Sequence, residues 1–160
     1  MPKPVEVATP SDREITVVRV FEAPRELIWD CHTKPDLVKR WMLGPPGWSM
    51  PVCEIDLRVG GAYRYVWRND ADGSSFGSKG LHREIAAPER LVTTESMDGF
   101  DGEAVNTLTF TEEGGRTIVS TNMLFASKEA RDGALQSGMS DGMAMGYDRL
   151  ETILDEQKVG

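Results

Sequence analysis

The chain has 160 residues, enough for one ordinary domain with a real core. Lys plus Arg total 18 against 26 for Asp plus Glu, a formal net charge of −8 with a sequence pI near 4.8. That acidity, with no Lys/Arg cluster, argues against DNA, RNA and anionic membrane surfaces as partners and mostly serves solubility. No stretch approaches the roughly 18 apolar residues that a membrane span requires, and MPKPVEVATPSDRE has no apolar signal region, so a cytoplasmic protein without membrane insertion is expected.

Residues 1–12 read as a flexible, polar, proline-bearing tail, followed by a single domain over 13–160. EITVVRVF (14–21) is β-branched and reads as the first strand. Pro24 then opens a short helix to about Cys31, with Leu27, Ile28 and Cys31 at helical spacing and Trp29 as a structural plug. A second helix begins near Pro35, with Leu37, Val38 and Trp41 on one face. The connector His32-Thr33-Lys34 places His32 in an exposed position. LGPPGW (43–48) must be a loop because paired prolines between glycines cannot sustain a helix, and Trp48 there is placed to gate an entrance.

From 49 to 125 the pattern is strand, turn, strand, predicting strands over 49–57, 62–68, 75–86, 90–97, 103–111 and 116–125. The connectors NDADG, APE, DGFDG and EEGG are good turn chemistry, and short connectors force neighbours antiparallel. With the first strand this makes a seven-stranded meander. Within it, DLRVGGAYRYVW (56–67) sets a double glycine before an aromatic ladder. Gly60 and Gly61 suit a tight turn or bulge with positive φ, and Tyr63, Tyr65 and Trp67 share one face of the strand that follows. In the last strand Thr117, Val119, Thr121 and Met123 alternate with Ile118, Ser120, Asn122 and Leu124, and the alternation leaves the inward set open.

The final segment begins at Ser127, a good N-cap, and is predicted helical to about Glu156, with a break near Gly138. Met139, Met143, Gly146, Tyr147, Leu150, Ile153 and Leu154 form one stripe that needs an apolar partner, and the sheet is the large surface available. The two cysteines, Cys31 and Cys53, have apolar neighbours and no close His pair, so they read as buried small hydrophobes and not as a metal site or disulfide.

EAPRELIWDCHTKPDLVKRWM (22–42), DLRVGGAYRYVW, GLHREIAAPERLVTTE (80–95) and SGMSDGMAMGYDRLETIL (137–154) together resemble the START-like or SRPBCC superfamily, the helix-grip fold of Bet v-like proteins. The branch is similar to the C-terminal domain of the activator of the heat-shock-protein-90 ATPase, and the likeness runs from about Arg13 to Glu156. It implies an α+β fold in which a curved antiparallel sheet wraps a long C-terminal helix, with a cavity between them closed by the two short helices. The superfamily includes lipid carriers, hormone receptors, polyketide cyclases and the co-chaperone domain, so the likeness narrows the site more than the chemistry.

The expected function is noncovalent binding of a small hydrophobic or amphipathic molecule, lipid-, aromatic- or polyketide-like, in a cavity of ~300–1,000 Å³. Tyr63, Tyr65, Trp67 and Phe76 would form its wall, with His82, Glu84 and Asn106 as polar anchors. Trp41, Met139, Met143 and Tyr147 would close it from the helical side. His82 and Glu84, two residues apart in a predicted strand, are expected to point the same way. They then read as a solvated strand end, a polar anchor or an acid/base pair. Two alternatives stand beside binding: a cyclase- or aromatase-like enzyme using the same cavity, and a stress-related interaction module whose partner is a chaperone. The residues before Glu14 are too few for the separate N-terminal domain of the eukaryotic co-chaperone, which makes direct chaperone activation the weaker expectation. No nucleophile, phosphate-loop or HExxH pattern occurs, so no catalytic residue, metal or cofactor is assigned. Monomer and homodimer are equally open.

Overall fold

The computed structural model describes residues 5–43, 46–99 and 102–159, with the backbone alone for 157–159. The first four residues of the tail, Gly44 and Pro45 of the proline loop, and Phe100 and Asp101 of the DGFDG turn lie outside the described residues.

The strands follow the predicted alternation closely: β1 (Glu6–Ala8), β2 (Glu14–Phe21), β3 (Trp48–Ile55), β4 (Ala62–Asn69), β5 (Ser75–Ala86), β6 (Arg90–Met97), β7 (Ala104–Glu113) and β8 (Arg116–Leu124). They form one curved antiparallel sheet in the order β1-β2-β8-β7-β6-β5-β4-β3. Eight strands replace the expected seven because part of the tail, Glu6 to Ala8, pairs with Thr16 to Val18 as a short edge strand. Three residues are too few to give a strand signal, and the unsatisfied edge of β2 supplies the reason for pairing.

Two helices follow β2. In α1 (Arg25–Thr33), Pro24 stands at the N-cap, where its missing N–H costs nothing. The helix runs past Cys31, which turns His32 inward. α2 (Pro35–Trp41) starts on a second proline. After β8, Ser127 caps α3 (Lys128–Gln136) by accepting a hydrogen bond from the Ala130 N–H. The predicted break falls at Gly138, and α4 (Met139–Val159) begins after it.

Register settles the face that alternation left open. Ile15, Val17, Arg19 and Phe21 of β2 lie opposite Met123, Thr121, Val119 and Thr117 of β8, and all eight are buried. The threonines belong inside because their hydroxyls can be satisfied; Thr117 donates to the Ala23 carbonyl at 2.7 Å. Against this surface lie Ile28, Trp29 and Cys31 of α1, Trp41 of α2, and Tyr147, Leu150, Ile153 and Leu154 of α4. Arg19, 1% exposed, ties sheet to helix: its guanidinium stands 3.1 Å from Asp148 and 3.9 Å from Glu151 of α4, and 5.4 Å from the Phe21 ring.

His32 is buried in this core, contrary to the exposed position expected of it. Its ring packs edge-on to Trp41 at 5.0 Å and Phe110 at 5.2 Å, and Nδ1 donates to the Ile28 carbonyl at 2.8 Å. Burial pulls its pKa down to about 4, only partly offset by the bond to Ile28. Cys31 is buried beside it with its thiol pushed up to about 11 by desolvation, which makes it inert.

Candidate functional site

The strands β3 to β7 carry the inward parity onward from the packed core. Asn106 lies opposite Met123 and Thr93, Thr93 opposite His82, Tyr65 opposite Ser78 and Cys53, and Tyr63 opposite Ile55. The aromatic ladder therefore faces the hollow of the sheet. Its rings form a continuous wall: Tyr63 to Tyr65 at 5.0 Å, Tyr65 to Trp67 at 5.9 Å, Trp67 to Phe76 at 5.3 Å, with Trp48 edge-on to Phe76 at 5.8 Å. The Trp67 indole N–H donates to the Met42 carbonyl at 2.8 Å, which anchors the ring.

Exposure rises along the wall. Tyr63 is 6% exposed, Tyr65 and Trp67 are half-buried, and Phe76 is 43% exposed. Inward side chains that keep this much surface are not covered by a helix. The main partners of α4 are α2, α3 and β2, and those of α1 are α2, β7 and β8. The uncovered stretch is thus the β4 to β6 side, opening toward Trp67, Phe76 and Trp48.

At the closed end the wall meets polar groups. The Tyr63 hydroxyl donates to the Thr94 carbonyl at 2.6 Å, an approach that needs Gly80: a Cβ there would lie 1.8 Å from that oxygen and 2.8 Å from the Tyr63 ring. His82 is buried beside Tyr63, ring centroids 5.8 Å apart, with Nδ1 3.0 Å from the Gly61 carbonyl. Gly60 has the positive φ expected of it, +83°, while Gly61 has not. Asn106 Nδ2 donates to Glu95 at 3.4 Å. Asn106 Oδ1 and the fully buried Ser78 Oγ have no hydrogen-bond partner in the protein. Burial holds the Glu95 carboxyl above its usual range, with the Asn106 amide pulling back. Burial, followed by the nearby Glu95 charge, raises the Tyr63 hydroxyl. For Tyr65 burial leads and Cys53 and then Glu95 add to it.

Three expectations are corrected. Glu84 does not join His82: the register shifts between them, so His82 faces Thr93 inside while Glu84 faces Val92 outside, exposed and paired with Arg90. One extra residue in β5 reverses the parity of everything after it, and an acid/base pair of His82 with Glu84 is not formed. Trp41 and Tyr147 do not border the open wall; they stack on each other at 5.7 Å in the packed core. Met139 and Met143 lie against the cluster of Ile15, Val17 and Met123, with Met143 also reaching the larger core. Conversely, Glu95 was missed, although Leu91, Thr93, Glu95 and Met97 alternate in β6 and a carboxylate in that set was visible. On the convex side, a depression of about 100 Å³ between Val20, Glu113, Arg116 and Ile118 is too small for a ligand of the expected size.

An antiparallel sheet gripping a C-terminal helix, with a polar-tipped aromatic hollow beside it, defines a helix-grip protein. The sequence matches the family described as Activator of Hsp90 ATPase homolog 1-like protein over residues 22–155, and the chain belongs to that family. Similar solved structures include a Rhodobacter sphaeroides protein, 28% identical with TM-score 0.92, covering 96% of this chain and 99% of the other. A Mycobacterium smegmatis protein is 25% identical with TM-score 0.84 over 96% and 99%. The AHSA1-like protein from Aeromonas hydrophila shares the fold at 22% identity and TM-score 0.72, over 88% and 93%. No curated protein matches the chain in sequence. Among the described residues no helix is long and apolar enough to cross a membrane, and no group of His, Cys, Asp and Glu is placed to hold a metal.

Proposed function

We propose that this protein binds a small, largely apolar molecule against the inward wall of Tyr63, Tyr65, Trp67 and Phe76. The observation that carries this reading is the exposure gradient: large aromatic side chains point into the hollow of the sheet and stay half-covered, where a filled core would bury them. The rings supply apolar and stacking contact. Ser78, His82, Glu95 and Asn106 at the closed end orient a polar group.

Thermal-shift and native mass-spectrometric screens against lipids, aromatic acids and polyketide-like compounds test it. Binders should lose about tenfold or more in affinity in Tyr65→Ala or Trp67→Ala, as expected when a stacked ring is removed from a ligand. Binders whose contacts map by NMR to the convex strands instead would overturn it. A protein-contact reading, with a chaperone as partner, has its own support in Leu57, Val59 and Leu81, exposed apolar side chains beside the 56–61 turn. Pull-down with the chaperone, with and without Val59→Ser and Leu81→Ser, separates the two. A cyclase-like activity has no pair of His82 with Glu84 to use, so it would have to run through Glu95 or His82 alone.

A further inference from the structure

Resting on the ligand site proposed above, we propose that its polar end selects an organic cation, an amine carried on an apolar skeleton, over a neutral or anionic head of the same shape. The inward-facing residues of β3 to β6 include one acidic side chain, Glu95, and no Lys or Arg. Arg64, Arg68, Lys79 and Arg90 all take the opposite parity, and Arg83, at the bulge, is exposed beside Glu103. Arg64 is committed to Asp98 and Arg90 to Glu84. Arg19, the buried cation on β2, is spent on Asp148 and Glu151. Glu95 is therefore a half-buried carboxylate that accepts one long amide contact from Asn106, at 3.4 Å.

Most of the groups around it can accept, while the Tyr65 hydroxyl, near enough for the Glu95 charge to raise it, brings one hydrogen of its own. Asn106 Oδ1 is buried without a partner, and Ser78 Oγ can turn either way. His82 Nδ1 donates to the Gly61 carbonyl, so in the tautomer that this bond selects Nε2 accepts. The Tyr63 hydroxyl spends its hydrogen on Thr94. A carboxylate head would meet Glu95 as a like charge, and a neutral hydroxyl brings one hydrogen to several acceptors. An ammonium brings several, neutralises Glu95 and relieves the desolvation that raises its carboxyl. The same cation would stand beside Glu95 against the rings of Tyr63 and Tyr65, whose faces are negative.

The test uses the full chain and three probes with one skeleton: phenylbutylamine, phenylbutanol and phenylbutyrate, titrated by calorimetry at neutral pH. The amine should bind about tenfold or more tightly than the alcohol, and the acid weakest. Glu95→Gln keeps the shape and the contact with Asn106; it should bring the amine to the level of the alcohol. Tyr65→Leu, on the half-covered part of the wall nearest Glu95, should weaken the amine more than the alcohol, and serves as the second reading if Glu95→Gln fails to fold. Alcohol or acid binding as tightly as amine in the unmodified chain would overturn the charge preference while leaving the ligand site. An amine preference that survives in Glu95→Gln would remove Glu95 as its source and overturn the proposal. Failure of all three probes to bind would overturn both the preference and the site.

Discussion

The sheet carries large aromatic and aliphatic residues on its hollow side both over β2 and β8 and over β4 and β5, yet the first region is sealed and the second is not. Over β2 and β8, Phe21, Val17 and Val119 are fully buried beneath α4, and Trp41 and Tyr147 stack above them. Over β4 and β5, rings of the same size keep part of their surface. The difference comes from where the helices rest, not from the strands, since α4 leans on β2 and α2. One inner face thus carries both a sealed stretch and a partly open one.

The largest test of that division is a pair of tryptophan truncations. Trp41→Ala removes a buried ring whose indole N–H also donates to the Cys31 carbonyl at 2.8 Å, and should cost about 3–5 kcal/mol in urea denaturation. Trp67→Ala removes a half-buried ring and one bond to Met42, and should cost about 1–2 kcal/mol while abolishing most ligand affinity. Equal stability losses would mean that the two regions are packed alike.

A second test belongs to the sealed region alone. The unfolded chain protonates His32 near 6.5 and the folded chain only near about 4, so the contribution is constant above pH 6.5 and is lost as the pH falls between those values. The loss should reach about 3 kcal/mol near pH 4. Denaturation midpoints at pH 7.5 and 4.5 measure it, and His32→Phe, which keeps an aromatic ring in the box, should show a smaller fall. An unchanged pH dependence in His32→Phe would place the imidazole in contact with water.

The junction between the regions offers a third. Gly80→Ala puts a Cβ against the Thr94 backbone oxygen and the edge of Tyr63, neither of which is the free end of a flexible chain. It should cost about 1–3 kcal/mol and displace the Tyr63 ring, which NMR shifts of Tyr65 and His82 would report.

How far the two regions were legible in the sequence follows from the same physics. Period-two alternation and turn residues located β2 to β8 almost to the residue, and the Ser127 cap and Gly138 break divided the last helices as expected, because these signals are local. The burial of His32 was not legible, since the last two residues of α1 decide it and His32 is held there by tertiary packing against Phe110 and Tyr147. Nor was the inward face of β8, whose two sides are equally mixed; Thr117 and Thr121 go inside only because β2 lies opposite. The aromatic ladder was read correctly because no bulge interrupts its pairing with β5 before His82. Beyond His82 the parity changes, and no residue type marks the site of the extra residue.

That hidden bulge gives the smallest expected effect and the cleanest control. Glu84→Gln alters an exposed side chain whose partner, Arg90, is itself exposed, so stability should change by no more than about 0.5 kcal/mol and ligand affinity not at all. Glu95→Gln, one strand away on the opposite face, makes the same chemical change inside the hollow. Comparing their affinities isolates the face on which a carboxylate sits from the mere loss of a charge. If both substitutions altered binding equally, His82 and Glu84 would have to share a face after all, and the register of β5 against β6 would be continuous.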